Sequence, residues 1–533
     1  MKMLRILTAL VLVAATAAVA AAATQEMTSY VPKDAKGVVE TVNAAGLRAE
    51  LLDSAFWAGL EQTQGFKDWR ASEKYKAMRD RLDKFLAALD MPQDEALKAF
   101  LGGRTAMAAL PSAGEKPRGI ILTETTTEMA NRLIKACGGV EEKKYLDVTI
   151  YQVTRDNKTD RMAYAGGLLL ASDSSGDQIE KVLDVILGGA PALAADGDFK
   201  AAADGLPAGW RVRTYGDKVP PRKGPGAAAL YPNGKDCIHF EWQLVGGEST
   251  YAISAPVDMQ APKILPADSV AAVSAAAHLT ALWDFAKKKM TGEKGEQKLR
   301  QIEMFWRGMI PGQTMDQIAA GFGPEACAAL VKGEGDNAAP GAIIAIRLAE
   351  NGKAIADGFR QGLAAKAMLI AAMTANNPDA PQITVKEEAY DQAQLLVVEA
   401  PKLIDKFLGD WAKDAAVTVA VTKDWLIIGT TPSGVKRTLD TMAGKVKSLG
   451  DVLTDAGQAV PTKPATRWGV ILPQGVSDIL MGWAEKLAGT QGAEKLKKMT
   501  NLAEVIKLLK YVGFVRTDTE AAIHGQADIQ ANP

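Results

Sequence analysis

The sequence predicts an α+β fold of two similar lobes, each a mainly antiparallel sheet with helices packed on one face. Three observations lead there. Short apolar stretches such as "RGIILTE" and "LLLAS" lie close together with turn residues between them, as antiparallel neighbours do. The stretch from Ser54 to Phe100 instead carries apolar residues at helical spacing, among them Phe56, Leu60, Leu82, Phe85, Leu86 and Leu89. A set of markers then recurs in the same order in the second half of the chain.

The chain opens with a basic start (Lys2, Arg5), an apolar run from Ile6 to about Val19 and small residues through Ala23. This is the layout of a secretory signal peptide over residues 1–23, with cleavage expected after Ala23. The competing reading is an uncleaved N-terminal anchor, although a spanning helix wants roughly 20 strongly apolar residues. The first lobe is expected at 30–256, the second at 264–530, and the connection in the proline-bearing "SAPVDMQAPKILP". Within the first lobe "TAMAAL", "RGIILTE" and "LDVTIYQV" read as strands, and "MAYAGGLLLAS" reads as a hairpin turning at Ala165-Gly166-Gly167. In the second lobe "VTVAVTKDWLIIG" turns at Thr422-Lys423-Asp424. Ser172 to Ser175, and Thr430-Thr431-Pro432, carry helix-start chemistry directly after each hairpin.

The repeat rests on four collinear matches at offsets between 220 and 256. Pro32 and Asp34 recur as Pro266 and Asp268, and "LGGRTAMAAL" recurs as "GFGPEACAAL". The two hairpin–helix segments keep Leu183-Asp184 as Leu439-Asp440, and Val219-Pro220 recurs as Val460-Pro461. A period of this length indicates a duplicated domain rather than a solenoid.

Composition narrows the function classes. Sixty-two basic against sixty-three acidic side chains leave a formal net charge of −1, so no electrostatic case for nucleic acid exists. Beyond the leader no stretch is apolar enough to span a bilayer, "AMLIAAMTA" included. Cys137, Cys237 and Cys327 are odd in number and widely spaced, which is no disulfide framework. The run Ala286 to Arg300 is strongly basic and reads as a solvated helix end or a headgroup-binding patch.

The Pro-x-Asp opening, the helical stretch, the "LGGRTAMAAL" strand start and a hairpin ending in "LLLASDSSGDQIEKVLD" together resemble a family of uncharacterised exported bacterial proteins, a domain of unknown function. The resemblance implies export and an α+β architecture, and it carries no catalytic residues.

Candidate chemistry is sparse. In "DCIHFEWQL" strand alternation puts Cys237, His239, Glu241 and Gln243 on one face and Ile238, Phe240, Trp242 and Leu244 on the other. Cys237, His239 and Glu241 are the nearest approach to a catalytic or metal-binding set, but same-face neighbours on a strand stand roughly 6–7 Å apart, against roughly 3 Å for a nucleophile–base bond. His278, in "VSAAAHLTALWDF", reads as a helix histidine, and His524 as isolated. Asp184 and Asp440 read as solvated helix carboxylates. No cofactor or metal is implied. The sequence therefore points to an exported, periplasmic or extracellular, non-catalytic binding or scaffold protein of the bacterial cell envelope. Its partner would be an unknown envelope protein, or it would carry an apolar ligand such as lipid; a hydrolase with an unrecognised site is the further alternative.

Overall fold

The computed structural model of the chain describes residues 26–112, 116–155, 158–172, 176–233, 236–247, 254–333, 340–375, 382–400, 415–487 and 493–532. The expected leader lies outside them, as do residues 173–175 of the first expected helix start. The chain divides into two compact units: residues 1–250 together with 521–533, and residues 251–520.

Ten strands come first: β1 Gly37–Val42, β2 Arg104–Leu110, β3 Arg118–Glu124, β4 Val140–Tyr145, β5 Val148–Arg155, β6 Lys158–Ala165, β7 Leu168–Ser172, β8 Val212–Val219, β9 Gly224–Pro232 and β10 Cys237–Val245. Ten more follow: β11 Ser269–Ala276, β12 Phe322–Val331, β13 Gly341–Leu348, β14 Thr384–Tyr390, β15 Ala393–Glu399, β16 Ala416–Val421, β17 Trp425–Gly429, β18 Arg467–Ile471, β19 Leu509–Asp518 and β20 Ala522–Ala531. The helices before the division are α1 Ala44–Leu52, α2 Ala55–Gln62, α3 Gln64–Ala71, α4 Glu73–Leu89, α5 Gln93–Leu101, α6 Thr127–Ala136, α7 Gln178–Ile186 and α8 Gly197–Ala203. Those after it are α9 Ala261–Ile264, α10 Leu279–Lys289, α11 Gly292–Met309, α12 Met315–Gly321, α13 Gly352–Thr374, α14 Pro432–Met442, α15 Leu449–Asp455, α16 Pro473–Leu487 and α17 Ala493–Ile506. The class is α+β.

Every described strand pairing within each unit is antiparallel. In the first unit the order is β4-β5-β6-β7-β3-β2-β1-β8-β9-β10-β20. In the second it is β14-β15-β16-β17-β13-β12-β11-β18-β19. Nine strands thus follow one order in both units. The first unit adds two at one edge, and the last of these differs from the sequence reading. β20 was expected in the second lobe, but it pairs along β10 from Cys237↔Gln530 to Val245↔Ala522. An alternating strand such as β10 advertises an open edge, and nothing local names the segment that fills it.

The expected single helical layer also gives way to two. The central strand β7 is buried throughout: Leu168 and Leu170 join a core with α7 and α8, whereas Leu169 and Ala171 join one with α5 and α6. In the second unit Ala420 and Ile427 pack toward α14 and α15, and Val419, Val421 and Leu426 toward α12 and α13. Continuous apolar runs such as "LLLAS" are what two-sided burial requires. The glycines of "LGGRTAMAAL" end α5 ahead of β2, with Gly102 as the helix C-cap. In "GFGPEACAAL" the left-handed φ of 115° at Gly323 and the Ala277 carbonyl 2.7 Å from where a Cβ would sit both demand glycine. The turn at Gly166 and Gly167 has the expected positive φ values, 58° and 81°. Thr431 caps α14 through the Gly434 amide, with Pro432 in the first turn, whereas α7 begins after Asp177 without a side-chain cap.

Candidate functional site

β10 lies between β9 and β20. On its apolar face Ile238 and Phe240 pack against Leu47, Val212 and Leu230. Its polar face gathers residues far apart in sequence, because the register sets His239 opposite Asp528 and Gln243 opposite His524. His239 Nδ1 lies 2.8 Å from Asp528 Oδ1, and its Nε2 lies 3.0 Å from Glu241 Oε1. Strand spacing had kept His239 and Glu241 apart, but their side chains lean together and close the gap. His524 Nε2 stands 3.6 Å from the other Glu241 oxygen, so it is not isolated.

Burial opposes the charged imidazole of His239, but hydrogen bonds to Glu241 and Asp528 outweigh it and hold its pKa above the usual value. Burial pushes the Cys237 thiol up, the Asp528 charge adds to this, and side-chain hydrogen bonds with Gln530 and Asn233 work against it. A cysteine nucleophile needs a thiolate and a base nitrogen able to take its proton. Here the thiol is held in its neutral form and both imidazole nitrogens face carboxylates. The two carboxylates flank the ring on opposite nitrogens and do not converge with it on one point. Among the described residues no group of three or more His, Cys, Asp and Glu is placed to hold a metal ion. The cluster is a clasp joining β20 to β10. All three cysteines are free thiols, with Cys137 and Cys327 buried.

The remaining sequence candidates resolve locally. Residues 273–276, read as helix for their alanines, belong to strand β11 between β12 and β18, where small side chains suit close packing, and His278 immediately precedes α10. Asp184 accepts a 2.7 Å hydrogen bond from the Tyr145 hydroxyl, and Asp440 accepts one of 2.8 Å from Tyr390. Each of these carboxylates is partnered by a tyrosine hydroxyl, and Asp440 also meets Lys445 Nζ at 3.1 Å.

The basic run Ala286 to Arg300 forms the end of α10 and the start of α11, and beside it lies a surface the sequence had not assembled. Phe305 on α11 is 59% exposed, Leu369 on α13 60% and Met373 76%, with Met304, Met368 and Ile370 also open to solvent. The helices run antiparallel, since Gly358 meets Ile310, Gly362 meets the Met309 backbone and the Lys366 ammonium lies 5.9 Å from the Phe305 ring. From Ala367 to Thr374 α13 carries no charged residue. A groove of about 380 Å³ lined by Met290, Lys298, Gln301, Ile302, Phe305 and Trp306 adjoins it. Lys288, Lys294 and Lys298 are exposed and make no ion pair among the described residues. In the first unit an apolar cavity of about 50 Å³ lies between α4, α5, α6 and the sheet, lined by residues including Phe85, Leu97, Phe100, Leu133 and Met162. No described helix is long and apolar enough to cross a membrane.

No family model matches the chain, and no curated protein matches it. Solved structures of TP0453 show a distant likeness. Crystal form III of TP0453 is 11% identical with a TM-score of 0.25, spanning 43% of this chain and 83% of that one. Crystal form I of TP0453 is 10% identical with the same TM-score, spanning 43% and 81%. Likeness at that level carries no argument about this protein.

Proposed function

We propose that the chain is an exported, non-catalytic binding protein of the cell envelope, built by internal duplication, whose second unit docks on an anionic bilayer surface. The leader-like start (Lys2, Arg5, then an apolar run) supports export. The common order of nine strands and the paired Tyr145–Asp184 and Tyr390–Asp440 bonds support duplication. The observation that carries the docking reading is the charge-free end of α13, with Leu369, Ile370 and Met373 in water beside unpaired lysines on α10 and α11. Fully burying side chains of this size is worth about 1.5–3 kcal/mol each. A lysine held near anionic headgroups adds about 1 kcal/mol. Lys294, Lys298 and Phe305 follow one face of α11, four and seven residues apart, which sets cations at headgroup level as the ring enters the acyl boundary.

The test is flotation of the purified protein with phosphatidylglycerol or phosphatidylcholine vesicles. Binding to the anionic vesicles is expected, lost in Leu369→Glu/Ile370→Glu and reduced in Lys294→Glu/Lys298→Glu. Equal flotation of the apolar variant overturns the reading. So does a dimer in light scattering that the same variant dissolves without any vesicle binding, because the patch then meets a second copy. The cavity under α4 favours a second reading, a carrier of an apolar ligand. At about 50 Å³ it is too small for an acyl chain as it stands, so helix movement would be required. Organic extraction and mass spectrometry of purified protein test it: no near-stoichiometric lipid sinks it.

A further inference from the structure

The first unit holds a cleft of about 940 Å³ lined by both charged and apolar side chains. Phe199, Leu206, Pro207 and Trp210 supply apolar surface; Arg104, Lys200, Arg211 and Arg213 supply cations, against the carboxylates of Glu26 and Asp204. Two of the three arginines are neutralised within the fold. Arg213 Nη2 donates to Glu40 Oε2 at 2.9 Å and to Glu26 Oε2 at 2.7 Å, and Arg104 Nη1 donates to Glu40 Oε1 at 3.2 Å. The Arg213 and Arg104 guanidiniums also lie 4.4 Å and 5.9 Å from the Trp210 ring centroid, which fixes that ring at the cleft. Arg211 differs: it is 3% exposed, and its Nη2 is buried with no hydrogen-bond partner among the described residues. The Glu50 charge offsets it in part. A buried guanidinium nitrogen left unsatisfied is costly, and a ligand that satisfies it recovers that cost.

We infer that this cleft binds a small organic oxyanion, a carboxylate or phosphate borne on an apolar body, with the Arg211 guanidinium as its charge partner and Trp210 and Phe199 against the apolar part. A cleft that sets apolar side chains beside convergent charged groups, at a volume of roughly 300–1,000 Å³, is a form small-molecule sites take. A guanidinium offers the fork of donors that carboxylates and phosphates match. The site belongs to the first unit by register: opposite Ser274, where the first unit has Glu40 opposite Arg213, the second has Trp468.

Calorimetric titration of the purified protein with octanoate, octyl phosphate and inorganic phosphate tests this in the absence of vesicles, so its failure is separate from failure of the docking reading. Saturable binding of octanoate or octyl phosphate is expected, with inorganic phosphate weaker; which of the two wins distinguishes carboxylate from phosphate. Arg211→Met should weaken binding by roughly tenfold or more while the urea midpoint holds or rises, since the variant removes a buried charge lacking a full set of partners. No saturable binding by any of the three overturns the proposal, as does Arg211→Met binding like the parent. Inorganic phosphate binding as tightly as octyl phosphate overturns the apolar part. Should Arg211→Met fold poorly, Trp210→Leu and Lys200→Ala decide: loss of affinity in both supports the cleft, and unchanged affinity in both overturns it.

Discussion

The two units meet the same requirement with different residues. In each, a short helical turn precedes Pro32 or Pro266, and its leading amides need an acceptor inside the fold. In the first unit Glu40, on β1, accepts from the Met27 amide at 2.8 Å. In the second, Glu325 on β12 accepts from the Gln260 and Ala261 amides at 2.8 and 2.9 Å and from the Ser274 hydroxyl at 2.7 Å. The registers put Ser274 where Glu40 stands and Glu325 where Arg104 stands: Arg104 faces Val42, two residues beyond Glu40, and Glu325 faces Ala276, two beyond Ser274. In the second unit the carboxylate stands on the neighbouring strand instead. What this teaches is that the fold demands one buried carboxylate here and does not dictate its strand. Placed on β1 it requires Arg104 and Arg213 as counter-charges and so creates a cationic cleft. On β12 it is satisfied by backbone and hydroxyl, and the unit stays free of that charge. Burial holds the Glu40 carboxyl above its usual pKa range, against the pull of Arg213 and the Met27 amide.

The comparison breaks most visibly at Glu40. Glu40→Ala removes the carboxylate that Arg213 and Arg104 share and the acceptor of the Met27 amide, and should cost about 3–5 kcal/mol, read as a lowered urea midpoint. Glu40→Met/Arg213→Met should recover part of that, because the Glu40–Arg213 pair is removed whole while Arg104 and the Met27 amide still lose the acceptor they share. If the double variant is no better than the single one, the carboxylate serves the amide more than the arginines. Glu325→Ala comes next at about 3 kcal/mol, since three donors lose their acceptor at once. A change below about 1 kcal/mol would show that water replaces it and that the units are less alike than the register implies.

Tyr145→Phe and Tyr390→Phe should produce small and matching midpoint shifts, because each removes one hydroxyl–carboxylate bond at the same place in its unit. Unequal shifts would separate the two units at that position. The smallest expected effect is a pH dependence confined to the first unit. His239 has a raised pKa, so its contribution is complete below about 6.5 and fades as pH rises through the higher folded-state value. The protection of the β20 amides, taken relative to the intrinsic base-catalysed exchange rate, should accordingly fall as pH rises above about 6.5, and His239→Gln should flatten that response. Protection at β20 indifferent to both would remove the clasp.

Much of the fold was legible. The strands "TAMAAL" and "RGIILTE", the hairpin at Gly166-Gly167, the Thr431-Pro432 helix start and the recurrence of the markers all follow from local rules, namely side-chain period, glycine freedom and capping chemistry. Legibility failed where long-range pairing decided. The alanines of residues 273–276 favour helix by propensity, yet two flanking strands made them a strand. Of the first unit's polar residues, His239 and Glu241 could be named because they share one strand face. Asp528 lies 289 residues from His239 and could not.

By itself, then, the sequence determined many of the elements, the recurrence of the short markers and the nearly neutral overall charge, because each is a property of neighbours along the chain or of a sum over it. Only the tertiary structure decided that β20 pairs along β10, that helices cover both faces, that α13 ends in water beside lysines with no ion pair among the described residues, and that three arginines from two separate segments line one cleft. Burial and charge pairing depend on which segments come together, and no local pattern carries that information.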